Sequence, residues 1–81
     1  MIFHVSGNSM EPFLKEGQTV IAFGKATIGD VIVFKEENTS SIFIKRIISE
    51  FEGKYVVKGD NSERRISVPR ENVLGKVLLK F

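Results

Sequence analysis

The sequence predicts a mainly β domain, curled into a small barrel or roll, with at most one short helical turn. Three observations predict it. Short runs of β-branched and aromatic residues recur along all 81 residues. Clusters of Gly, Asn and Asp separate them, the chemistry that ends strands and reverses a chain. A chain this short cannot bury two open sheets, so curling is the economical way to protect strand edges.

The first run is Ile2–Val5, ended by Gly7-Asn8. Met10–Lys15 is the one stretch that invites a helical turn, because Ser9 can cap it and Pro12 is tolerated in a first turn. Gln18–Phe23 lies between Gly17 and Gly24, and Asp30–Phe34 runs from Gly29 to the polar break Glu36-Glu37-Asn38-Thr39. Ser41–Ser49 is the longest middle run. Glu52-Gly53 divides it from Lys54–Lys58, which Gly59-Asp60-Asn61 terminates, and Val73–Phe81 closes the chain. No repeat, low-complexity tract or linker interrupts this series, so residues 1–81 are expected to form one domain.

Composition removes several function classes. With 42% hydrophobic and 27% charged residues the chain is too apolar and too evenly charged for disorder. No apolar run approaches the roughly 18 residues that cross a bilayer, and the N-terminus has no signal-peptide h-region. Absence of Cys excludes disulfides, thiolate metal sites and cysteine nucleophiles, and one His excludes a histidine cluster. No metal and no cofactor are therefore expected. Residues 1–41 carry three Lys against five acids, a net of −2, and residues 42–81 nine Lys or Arg against five acids, a net of +4. That surplus is interspersed with Glu50, Glu52, Glu63 and Glu71, so it reads as a solvated surface and not as an obligatory nucleic-acid footprint.

In the longest run, period-two alternation puts Ile42, Ile44, Arg46 and Ile48 on one face and Phe43, Lys45 and Ile47 on the other. Lys45 thus stands between two apolar neighbours. Desolvation disfavours its charged form; a fall from about 10.4 to roughly 7–8 corresponds to about 4 kcal/mol, within the reach of burial. The bland reading is a snorkelling lysine that discourages edge pairing. A second feature is Val5-Ser6-Gly7-Asn8-Ser9-Met10-Glu11-Pro12. Here a serine follows a strand and a glycine at a turn, where its hydroxyl can be exposed and backbone N–H groups can face a carbonyl. Most serines in such a place only cap. A nucleophile also needs a base. His4 sits five residues before Ser9 on the same segment and would need a sharp reversal to reach it, whereas a neutral lysine is the base of Ser-Lys peptidases. Among the lysines only Lys45 is framed by apolar neighbours.

With these residues in view the chain resembles the serine peptidase clan of bacterial-type signal peptidases and self-cleaving LexA-like repressors. The resemblance spans Val5 to Val77. Gly7-Asn8-Ser9-Met10-Glu11-Pro12, with Leu14 and Gly17, is similar to that clan's G-x-S-M-x-P box. Gly29-Asp30-Val31-Ile32-Val33-Phe34 resembles its G-D-V-V-x-F, Ile44-Lys45-Arg46-Ile47-Ile48 its K-R strand, and Val57-Lys58-Gly59-Asp60-Asn61-Ser62 its G-D-N box. Gly75-Lys76-Val77 resembles the closing G-x-V. Each box is weak alone; four in order are specific.

The resemblance implies the clan's coiled β fold and a serine endopeptidase with Ser9 as nucleophile and Lys45 as general base. It implies that the Ser9 N–H, with Met10 beside it, forms the oxyanion hole. Glycine at position 7 removes a hydroxyl that some members use there. It implies an Arg46–Asp60 pair as structural support, together with Asn61 and Ser62. Two departures stand out. The signal peptidases' Asp-Ser-Arg triplet is missing from Ser62-Glu63-Arg64-Arg65-Ile66-Ser67-Val68-Pro69-Arg70, leaving Ser62 or Ser67 to bond the lysine amine and Arg70 to replace the arginine. Only eight residues precede Ser9, so cleavage in trans of a peptide, such as a signal or maturation segment, is expected over self-cleavage. The implied partner is a polypeptide bound in extended form, its side chains received by Met10, Phe3 and Phe43, with a homodimer as a further expectation. The alternatives are an impaired binding or dimerisation module and a detached repressor domain. Lack of an anchor and of Cys suggests the cytoplasm or the periphery of a membrane.

Overall fold

The computed structural model describes residues 1–81. Seven strands form in chain order: β1 (Ile2–His4), β2 (Thr19–Phe23), β3 (Val31–Lys35), β4 (Ile42–Phe51), β5 (Lys54–Lys58), β6 (Arg65–Pro69) and β7 (Val73–Lys80). They make one sheet in the order β1-β2-β7-β3-β4-β5-β6, antiparallel at every pairing. The sheet curls into a half-barrel and leaves β1 and β6 as edges. No helix is long and apolar enough to cross a membrane.

The mainly β expectation holds, with two local corrections. Residues 10–15 form no helix; a single i→i+4 bond from Leu14 N to Met10 O is all the helical character there. The one 3-10 turn lies at Arg70–Asn72. Strand β6 was not among the sequence candidates. Its Arg-Ile-Ser-Val-Pro alternates, with Val68 buried and Ile66 half-buried, and its proline is tolerated because β6 is an edge.

The core has two parts. Ile32, Phe34, Ile47, Tyr55, Val57 and Val68 pack between β3, β4, β5 and β6. Val5, Met10, Leu14, Val20 and Val31 pack beneath the loop that follows β1, with Ile44 and Phe13 against them. Register explains how the first part leads to the site. Ile47, Val57 and Ile66 lie opposite one another across β4, β5 and β6 and form an apolar row. Two residues nearer the start of β4, on the same face, stands Lys45 opposite the buried Ile32.

Two close approaches need glycine. A Cβ on Gly75 would come within 2.8 Å of the Phe23 nitrogen where β7 crosses β2. A Cβ on Gly59 would stand 2.6 Å from the Ser9 carbonyl oxygen.

Candidate active site

The segment Val5–Leu14 leaves β1, turns at Gly7 with φ +80°, and returns over the sheet. Its apolar members Val5, Met10 and Leu14 anchor it in the core, which leaves Ser9 half-buried at its crest. Lys45 reaches this crest from β4. Its Nζ lies 2.9 Å from Ser9 Oγ, a hydrogen bond between residues 36 apart in sequence. Ser9 Oγ makes no capping bond; the lysine amine is its partner. Desolvation by the surrounding apolar residues lowers the Lys45 pKa below its ordinary value, and the charge of Arg64 pushes it the same way.

The turn after β5 holds the serine loop from the other side. Asn61 N donates to Ser9 O at 2.7 Å, and Asn61 Nδ2 to Asn8 O at 3.2 Å. Asp60 takes both ends of the Arg46 guanidinium, from Nε at 2.9 Å and Nη2 at 2.8 Å. Arg46 spends its remaining Nη1 on the Gly29 carbonyl at 2.8 Å. This bidentate pair raises the Arg46 pKa and lowers that of Asp60, the hydrogen bonds between them being the largest cause in each. Arg46 also lies 5.0 Å over the Phe13 ring, whose other approach is Lys80 Nζ at 4.2 Å. The serine loop, the turn at Gly29 and the turn at Gly59–Ser62 thus meet on the strand that carries Lys45.

Other sequence candidates fall elsewhere. His4 shares a hydrogen bond with Thr19 at 3.2 Å and none with Ser9. Ser62 Oγ accepts from Arg64 N at 3.2 Å, Ser67 is exposed, and neither bonds the lysine. Arg70 pairs with Glu50 at 2.9 Å and covers Tyr55, so it does not replace the missing arginine. Met10 is 2% exposed and belongs to the core as much as to the site. Neither the Ser9 nor the Met10 N–H donates to a protein acceptor. No group of three or more His, Cys, Asp or Glu is arranged to hold a metal. Sequence reasoning missed the contact of Gly59 with Ser9 and the nearness of Arg64 to Lys45. The first had a signal, the glycine of the G-D-N box; the second had none.

A groove of about 380 Å³ runs up to the pair. Phe3 to Gly7, with Ser9 and Met10, line it from one side of the sequence and Ile42 to Lys45 from the other. Both walls are open strand edges. β1 pairs with β2 alone, and Ile42–Lys45 pair with β3 alone because β5 ends at Lys58, opposite Arg46. Such edges carry unpaired backbone donors and acceptors and can receive an extended chain.

No curated protein matches the chain. A family model does: Peptidase S24-like covers residues 1–78, a span that includes the serine loop, the β4 lysine and the turn that clamps them. The coiled sheet and this match agree, and the chain belongs to the Peptidase S24-like family.

Proposed function

We propose that the chain is a serine endopeptidase in which Ser9 attacks a peptide carbonyl and Lys45 is the base. The observation that carries this reading is the 2.9 Å separation of Lys45 Nζ and Ser9 Oγ, made by a lysine that burial drives toward neutrality. A neutral amine at that distance accepts the proton of the Ser9 hydroxyl as the oxygen bonds to the carbonyl carbon. The uncommitted N–H groups of Ser9 and Met10 suit the oxyanion. Protonated Lys45 then gives its proton to the departing amine, and water, deprotonated by the same lysine, releases the acyl group. Substrate lies extended between β1 and the open part of β4, placing its scissile bond beside Ser9 and Lys45.

A fluorophosphonate or a penem tests this. Stoichiometric labelling of the wild type at pH 8–9, absent in both Ser9→Ala and Lys45→Ala, is the expected result. Folded wild-type protein that stays unlabelled returns the chain to the reading of a binding or dimerisation module.

A further inference from the structure

The serine loop is held at its start, at its crest and on its return limb. At the start, Val5 N donates to Gln18 O at 2.8 Å and Val5 O accepts from Gly17 N at 2.9 Å. At the crest, Asn61 takes the carbonyls of Asn8 and Ser9. On the return limb stands Phe13, half-buried, next to the fully buried Leu14.

Two cations from different strands meet the Phe13 ring. Arg46 on β4 lies 5.0 Å from its centroid and Lys80 on β7 lies 4.2 Å from it. Lys80 Nζ also donates to the Phe13 carbonyl at 2.8 Å, so ring and backbone are both held. Strand register accounts for the meeting. Arg46 lies opposite Val31 and Lys80 opposite Val20, and both valines belong to the buried cluster on which Phe13 rests. No carboxylate pairs with Lys80, because the two ion pairs of the molecule are Arg46–Asp60 and Arg70–Glu50. The ring and the carbonyl are its partners.

Phe13 therefore touches the lysine strand one residue beyond Lys45, and it lies four residues after Ser9. The segment between is short and anchored: Leu14 N donates to Met10 O at 2.9 Å, and both side chains are buried. Asp60, beside Asn61 in the turn that holds the crest, is bonded to the same Arg46. Arg46 is thus the common footing of two holds on Ser9.

We infer that Phe13, held by Lys80 and seated on Arg46, is a positioning residue that sets where Ser9 Oγ stands relative to Lys45 Nζ, acting through the serine loop. This rests on the reading of Ser9 and Lys45 as the reacting pair. Proton transfer needs those atoms at hydrogen-bond distance, and a misplacement of about 1 Å can cost about 10²-fold in rate. A positioning residue changes the maximal rate of Ser9 labelling per folded molecule. A residue that serves stability alone changes the folded fraction and leaves that rate as it was.

The test is the maximal labelling rate and the affinity for a fluorophosphonate, measured on the high-pH plateau and corrected for folded fraction by urea denaturation. The proteins are wild type, Phe13→Leu, Phe13→Tyr, Lys80→Met and Lys80→Arg. The maximal rate is expected to fall about 10- to 100-fold in Phe13→Leu. In Lys80→Met it falls about three- to tenfold, with Phe13→Tyr and Lys80→Arg staying within about twofold of wild type and probe affinity unchanged throughout. Lys80 is exposed and Met keeps most of its stem, so Lys80→Met decides the matter even where Phe13→Leu does not fold. A maximal rate in Lys80→Met, or in folded Phe13→Leu, that matches wild type overturns the positioning role and leaves the peptidase reading intact. Equal losses in Phe13→Tyr and Phe13→Leu overturn it too, since the ring is then not the cause. Folded wild type that takes no label overturns both.

Discussion

At the scale of the residue, Lys45 is where chemistry and stability oppose each other. Its pKa is lowered, first by burial and then by Arg64, so the folded state gives up its proton more readily than the unfolded chain. Between the folded value and the ordinary value near 10.5 the unfolded chain holds more protons, and stability rises with pH across that window. On the proposed mechanism activity rises in the same direction, because there the neutral amine is the reactive form. The rate of Ser9 labelling is therefore expected to climb through the lowered lysine value, to keep its midpoint in His4→Ala, and to fall about 10²–10⁴-fold in Lys45→Ala. Lys45→Arg should be as inactive, since a guanidinium does not deprotonate in proteins. Lys45→Met removes the desolvated amine while keeping an apolar stem among Ile32, Phe43 and Ile47. Its melting temperature at pH 7 should exceed that of wild type, with the gap closing toward pH 10. A lower melting temperature at pH 7 would show that Lys45 is not under strain from its surroundings.

At the scale of the element, the turn after β5 is a clamp on the serine loop. Gly59 touches Ser9, Asn61 bonds both Ser9 and Asn8, and Asp60 ties the turn to Arg46 on the lysine strand. Gly59→Ala should cost about 1–3 kcal/mol, the usual penalty of overpacking, and should reduce Ser9 labelling by more than the lost folded fraction explains. Urea denaturation beside active-site titration separates the two. Asp60→Asn leaves a half-buried guanidinium without its charge partner, and an expected loss of about 1–2 kcal/mol follows. Because the Asp60 pKa is lowered in the fold, its contribution is present above about 3.8 and disappears as pH falls through the lower folded value. Wild type should therefore lose stability faster than Asp60→Asn as pH drops from 5 toward 2. Parallel pH-melting curves for the two would contradict the pair's role.

The same elements show what was legible in advance. Lys45 could be picked out because strand alternation is a strict local rule and its neighbours on that face are Phe43 and Ile47. The Arg46–Asp60 pair came only with the family resemblance. Strand β6 was hidden by Arg65, Ser67 and Pro69, which are ordinary on an edge and unfavourable elsewhere, and position in a sheet is not a local property. The contact of Gly59 with Ser9 joins residues that only the completed curl brings together.

At the scale of the whole molecule, the curl that buries two small cores also fails to close, and the gap is the groove. A closed barrel would pair every backbone group of β1 and β4; this half-barrel leaves the outer edge of β1 and the Ile42–Lys45 edge facing each other across about 380 Å³. Side chains alone give that gap little to select with, since its walls are mainly Phe3, Val5, Ile42, Phe43 and Ile44. On the proposed mode of binding, main-chain hydrogen bonds supply much of the hold, as they do whenever a peptide adds a strand. N-methylation of a cleaved peptide, one residue at a time upstream of the cut, removes one donor per position without changing side chains. With each bond contributing about 1–1.5 kcal/mol, methylation should lower kcat/KM about tenfold at each residue lying between the two edges, because successive N–H groups of an extended chain point to opposite sides and so face β1 and β4 in turn. Loss at alternate residues alone would mean pairing to one edge only. No loss at any position would mean that substrate crosses the groove without pairing to either edge.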